Sequence, residues 1–219
     1  KNTKFQNVIP TKLFSLTSQV NCVNEFNFKT IVPKNTKIMQ CYPPSLEQEF
    51  DQMNISFSND CIMRYTSLSN DKRIKLDDYN IDLYKGLQVM VTRNISIDTG
   101  LINGKMGIIT ELTPTYVQIM DKNKKTFIIY YHKDKNENTK TYVKFMPIKL
   151  AYAISIHKSQ GATLDAIEVD GGNCIFAPGQ LYTALSRAKN LQSIKIIDID
   201  KQSFICNKNV KQFYEVLIE

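Results

Sequence analysis

The sequence predicts an α/β domain on a parallel sheet, with helices on both faces, interrupted by a small antiparallel β insertion. Three observations predict it. Toward both ends of the chain, short apolar runs alternate with stretches whose apolar residues recur at helical spacing, the pattern of strands covered by helices. Between residues 87 and 148 the texture changes to short strands punctuated by turn-forming clusters. Finally, the apolar run Leu150 to Ile156 stops abruptly at His157-Lys158-Ser159-Gln160-Gly161. A buried parallel strand ends in a functional loop in this way, and such loops at strand C-termini are where α/β sheets place ligands.

Taken in order, Lys12 to Leu16 reads as a strand, followed by a helix capped by Ser18 with Val20, Val23 and Phe26 turned inward. A strand at Lys37 to Tyr42 ends at the Pro43-Pro44 break, and SLEQEFDQMN opens a short helix at Ser45. Residues 54 to 80 are polar and weakly patterned, which reads as a connector. LQVMVTR, MGIITEL, TYVQIMD, KTFIIYY and TYVKFMPI are then strands separated by NG, TP, DKNKK and HKDKNENTK turns, together a small antiparallel barrel. The α/β pattern resumes at Leu150, with a strand at Ala166 to Asp170, a helix at Gln180 to Lys189, a strand at Ile194 to Ile199 and a closing amphipathic helix from Ser203. Three segments follow: 1 to 82, 83 to 148 for the insertion, and 149 to 219 for the return to the first domain.

Composition narrows the class. With 219 residues the chain can bury a full core. Its formal net charge of +7 favours a polyanionic partner. Cysteines 22, 41, 61, 174 and 206 form no CxxC pair and no metal spacing, which fits reduced thiols in an intracellular protein without zinc or disulfides. No apolar run approaches the ~18 residues a membrane span needs, and no signal-peptide pattern opens the sequence. A soluble intracellular protein that is not secreted is expected.

Two segments carry the chemistry: AYAISIHKSQGATLDAIEVD at Ala151 to Asp170, and PGQLYTALSRAK at Pro178 to Lys189. In the second, Leu181, Ala184, Leu185 and Ala188 recur at helical spacing while Gln180, Tyr182, Thr183, Ser186 and Arg187 supply polar groups. Both segments resemble the last two signature motifs of superfamily 1 helicases, in the branch of RecD-like and Pif-type enzymes. The resemblance extends to LYKGLQVMVTRN at Leu83 to Asn94, to LINGKMGIITEL at Leu101 to Leu112 and, less specifically, to LFSLTSQVNCVNEFN at Leu13 to Asn27, a strand and helix with an asparagine near the helix middle. It implies a second RecA-like motor domain carrying an inserted Src-homology-3-like β-barrel. Abundant lysine, asparagine and isoleucine with no tryptophan fit an AT-rich genome such as that of a large DNA virus.

Within that resemblance, Arg187 is the expected catalytic residue, an arginine finger that stabilises charge on the transferred γ-phosphoryl group. The chain has only four arginines, at 64, 73, 93 and 187, and this one lies inside ALSRA. Gln160, Gly161, Gln180 and Tyr182 join it as the nucleotide-contact set. Gly161 would let the backbone approach a phosphate or ribose, and the Gln160 amide can donate. Tyr182 reads equally as a core aromatic. His157, Lys158, Ser159 and Thr163 form the DNA-side set, with His157 either touching DNA or organising the loop. Asn103 and Lys105 belong to a hairpin turn by their NG signal, and Lys105 is placed to guide a single strand. Asp165 reads as a cap, and His132 as part of a solvated tip.

The parts that cradle a triphosphate are not in the sequence. GLINGKM at Gly100 to Met106 has three residues between its glycines where a P-loop has four, and ends in methionine where Mg²⁺ binding needs Ser or Thr. No metal site is expected. ATP and Mg²⁺ would be held mainly by an upstream RecA-like domain of the same chain, and this part alone should bind neither and hydrolyse nothing. The expected function is the C-terminal motor portion of an ATP-dependent DNA helicase, 5′-to-3′ by its resemblance, acting in replication or repair on single-stranded DNA and forked duplex, with a primase or polymerase as a possible partner and no membrane. Two alternatives remain: a non-catalytic module that binds single strands or a replication partner, and an RNA helicase.

Overall fold

The structure is a computed structural model that describes residues 8–44, 60–172 and 174–218. It divides into two compact units, one holding chiefly residues 28–102 and 106–150, the other residues 9–27, 103–105 and 151–219.

The second unit is built on a four-stranded sheet in the order Ala153–Ser155, Thr11–Phe14, Ile167–Gly171, Ile194–Ile199, every pairing parallel. This is the parallel sheet expected of a RecA-like domain. The strand nearest the N-terminus lies inside the sheet, so the chain leaving Ala153–Ser155 must pass over it to reach Ile167. The loop containing His157 to Gly161 therefore starts at the C-terminal edge of a parallel sheet at a point where strand order reverses, a preferred ligand position. Leu13, Ile154, Ile156, Leu164, Ile167, Val169, Leu181 and Ala184 are buried here. Buried Thr11 donates its hydroxyl to the Ala151 carbonyl at 2.8 Å, which satisfies a polar group that would otherwise destabilise the core.

A helix spans Thr17–Ile31, and Ser18 falls inside it instead of capping it. None of its residues is buried, and Phe26, expected to point inward, is 69% exposed. The helix attaches through Asn24, whose amide donates to the Ala153 carbonyl and accepts from the Ala153 N–H, both at 3.0 Å. The side chain thus supplies the ladder bonds that the edge strand lacks on that side. The helix opening at Gln180 stops at Leu185, shorter than its apolar spacing predicts. The Arg187 carbonyl accepts from the Leu164 N–H at 2.8 Å, and Ala188 forms a parallel bridge with Leu164, so the chain turns from helix to ladder. The closing helix runs over Lys208–Ile218, after a short 3₁₀ turn at Lys201–Ser203 where Asp200 accepts from the Gln202 N–H. It is amphipathic as expected, yet Val210, Phe213, Val216 and Leu217 are exposed, as are Ile196, Ile197 and Ile199 of the edge strand.

The first unit contains a five-stranded antiparallel sheet ordered Ile148–Leu150, Gln88–Val91, Met106–Leu112, Tyr116–Met120, Thr126–Tyr130. Val89, Met90, Met106, Ile109, Val117, Ile119 and Ile129 fill its core. A second sheet pairs Ile38–Cys41 parallel to Ile62–Tyr65, which pairs antiparallel to Ile81–Leu83. Arg64 and Asp82 face each other across that pair and form two hydrogen bonds of 2.7 Å. Fully buried Tyr65 donates to the Thr113 carbonyl at 2.6 Å, tying this sheet to the five-stranded one.

Two expectations for this unit are corrected. The connector assigned to residues 54 to 80 is ordered over its described part, with strands at Ile62–Tyr65 and Leu68–Ser69 and a 3₁₀ turn at Leu76–Tyr79. Ile62–Tyr65 is largely buried but only four residues long, too short to set a period, while Leu68–Ser69 is only partly covered. HKDKNENTK is not a solvated tip throughout, because His132–Asn136 is a strand paired with Thr141–Phe145. His132 Nε2 lies 3.1 Å from Asp134, which also accepts two hydrogen bonds from Arg93, so the charges that look solvated in sequence pair with one another. The helix expected at Ser45 lies outside the described residues. Among the described residues, no helix is long and apolar enough to cross a membrane.

Candidate functional site

Ala153–Ser155 is buried along its whole length, and the chain turns at its end through one 3₁₀ turn, His157–Ser159. Four N–H contacts fix the turn: Lys158 to Ser155 Oγ at 3.3 Å, Ser159 to the Ile156 carbonyl at 3.2 Å, Gln160 to the His157 carbonyl at 3.2 Å, and Ala162 to the Ser159 carbonyl at 3.0 Å. His157, Lys158, Gln160, Gly161 and Thr163 are exposed around it. Gly161 has φ of 75° with open space beside its Cα, so the backbone is bare to solvent where a ligand would approach.

Ser159 departs from its expected role. It is wholly buried, and its hydroxyl donates to the Ile156 carbonyl at 2.6 Å. It closes the turn from inside, and a phosphate cannot reach it. Gln180 departs in the same way, being 5% exposed, with its Oε1 accepting from the Phe176 and Ala177 N–H groups at 3.1 and 3.3 Å. Its Oε1 holds the segment ahead of the helix in place, while its buried Nε2 makes no hydrogen bond among the described residues. Tyr182 is 77% exposed, which removes the core alternative.

Arg187 lies just past the helix end. Its Nε donates to the Thr183 carbonyl at 3.0 Å and one terminal nitrogen to Ser186 Oγ at 2.8 Å, so the guanidinium rests on its own helix. The carbonyl of the same residue is bonded to Leu164, three residues beyond Gly161. The two motif segments are thereby joined backbone to backbone. Asp165, read from sequence as a cap, accepts from Lys189 Nζ at 2.6 Å.

The turn Asn103-Gly104-Lys105 also belongs to this unit. Gly104 has φ of 90°, and a Cβ built there would stand 2.6 Å from the Thr163 carbonyl oxygen. The structure thus brings the Gly104 backbone, between Asn103 and Lys105, against Thr163, one residue from the Leu164 contact with Arg187. Of the functional contacts, Asn24, Asp165 and Lys189 were not legible as a set. Their partners are 129 and 24 residues away, and no local period marks them. Among the described residues, no cluster of His, Cys, Asp or Glu is arranged to hold a metal ion.

Residues 78–112 match the family described as DNA helicase Pif1, 2B domain. The ATP-dependent DNA helicase PIF1 of Homo sapiens is 36% identical over 143 residues, covering 63% of this chain and 22% of the human protein. The unliganded Pif1 from Bacteroides sp superposes with a TM-score of 0.71 at 22% identity, over 99% of this chain and 47% of that one. Pif1 from Bacteroides in complex with ADP-AlF3 and single-stranded DNA gives a TM-score of 0.55 at 22% identity, over 98% of this chain and 48% of that one. The chain therefore spans about a fifth of the human protein and about half of the solved structures. At these identities the structural likeness establishes the fold.

Proposed function

Because the chain belongs to the Pif1-type superfamily 1 helicases, we propose that it forms the second motor region of an ATP-dependent DNA helicase acting in replication or repair. ATP would sit between the face bearing Gln160, Gly161 and Arg187 and a first RecA-like domain that supplies the triphosphate cradle and Mg²⁺. Single-stranded DNA would run past His157, Lys158, Thr163, Asn103 and Lys105, with forked duplex as the substrate that is unwound and 5′-to-3′ as the direction of travel. Ser159 and Gln180 drop out of the contact sets and become supports.

The observation that carries this reading is the bond between Leu164 and Arg187, which makes the HKSQG loop and the arginine-bearing turn one piece. A loop that faces DNA and an arginine that faces phosphate then cannot move independently. In catalysis, Arg187 must exchange its bonds to Thr183 and Ser186 for the γ-phosphoryl oxygens. Those bonds are to neutral acceptors and are weaker than bonds to phosphate, so the exchange favours the nucleotide.

Arg187→Ala in the polypeptide that carries both motor domains tests the reading. An arginine finger contributes about 10³ to 10⁵ in turnover. ATP hydrolysis is expected to fall into that range while single-stranded DNA binding stays near wild type. Turnover that survives the substitution would refute the finger assignment.

A further inference from the structure

The loop after Gly161 is tied to the arginine-bearing turn twice. One tie is the Leu164–Arg187 backbone bond of 2.8 Å with its Leu164–Ala188 bridge. The other is the Asp165–Lys189 ion pair at 2.6 Å, in which the carboxylate side chain is only 7% exposed and the lysine side chain 50% exposed. A carboxylate buried that deeply is strongly disfavoured unless paired. The pair is therefore a fixed point in this region. It stands two residues beyond Arg187 and one beyond Leu164, so the backbone that carries the arginine is held from both sides of the bridge. The same loop meets the backbone of Gly104 at Thr163.

We propose that Asp165 and Lys189 are positioning residues for Arg187: their ion pair fixes the backbone from which the guanidinium swings, and so sets where it arrives on the phosphoryl group. The proposal rests on the arginine-finger reading above. The side chain of Arg187 is held by two bonds that must break, so its accuracy has to come from the main chain. Misplacing a reacting group by about 1 Å costs on the order of 10²-fold in rate. Loss of the pair should appear in kcat, with the ATP KM and the DNA affinity left alone.

The test uses the polypeptide with both motor domains, comparing K189M, K189R and D165N with R187A, and reading DNA-stimulated ATP hydrolysis, ATP KM, single-stranded DNA Kd and thermal melting. K189M and D165N are expected to lower kcat by about tenfold or more, with KM and Kd within about twofold, and K189R is expected to restore most of the loss because it keeps the charge. Wild-type kcat in K189M beside an inactive R187A overturns the positioning role and leaves the finger standing. An active R187A overturns the finger reading, and this proposal with it. If K189M does not fold, isosteric D165N carries the comparison. Unfolding of both, or a loss in K189R equal to that in K189M, shows a merely structural role and overturns the proposal.

Discussion

At Gly104 a single methyl group decides whether a turn can sit where it does. The residue combines a φ of 90° with a backbone contact that leaves no room for a Cβ, because the obstructing atom is the Thr163 carbonyl oxygen and not a side chain that can swing away. Gly104→Ala is expected to destabilise the protein by about 2 kcal/mol, from the strain of the left-handed backbone and the displaced contact together. Denaturant unfolding of the wild type and the variant measures this. An unchanged midpoint would show that the turn relaxes freely. The NG signal predicts a turn at this place, but only the structure shows why the glycine faces a specific neighbour. Ser159 and Gln180 teach the opposite lesson. Both sit in motifs whose residue types suit phosphate or nucleotide, and both point inward. A three-residue 3₁₀ turn and the first residue of a six-residue helix are too short to have a periodicity that tells inside from outside.

Among the elements, those with strong alternation or long apolar runs fall where the sequence predicts. Met106–Leu112 and Ile194–Ile199 match residue for residue, and Ala153–Ser155 lies within the predicted apolar run. The elements that differ are set by contacts distant in sequence: the helix from Gln180 ends early because Leu164 takes the Arg187 carbonyl, and the helix from Thr17 is docked by an asparagine amide and not by an apolar stripe. The strand Ile167–Gly171 adds an electrostatic clasp. Glu168 is held between Lys195 at 2.8 Å and Lys12 at 3.4 Å, residues of the strands on either side. The hydrogen bond from Lys195 and then the charge of Lys12 hold its carboxyl below the usual glutamate range. Because the folded-state value is depressed, this stabilisation is complete above the unfolded value of about 4.3 and is lost as pH falls through the folded one. Melting temperatures of the wild type and Glu168→Gln are therefore expected to differ at pH 7 and to converge at an acid pH below the depressed folded-state value. A gap of equal size at both pH values would show that the clasp contributes packing and not charge.

For the chain as a whole, a net charge of +7 makes long-range attraction to a polyanion a property of the full surface more than of any one contact. Affinity for single-stranded DNA is expected to fall log-linearly with salt, with a slope of about −0.7 for each phosphate neutralised. A fluorescence titration at several salt concentrations checks this, and salt-independent binding would rule out a backbone-tracking mode.

The position of Thr11–Phe14 inside the parallel sheet also governs the order in which the chain can fold. Its neighbouring strands, Ala153–Ser155 and Ile167–Gly171, lie about 140 and about 155 residues later, and Thr11 closes its hydrogen bond to Ala151 across a separation of 140. Several antiparallel strands between them meet partners nearby in sequence, across turns as short as those joining Met106–Leu112 to Tyr116–Met120 and Thr126–Tyr130. Contacts between distant residues form late, since the loop they close is long. During synthesis those hairpins can thus form as they emerge, while Thr11–Phe14 waits for its partner strands until residue 171 has been delivered.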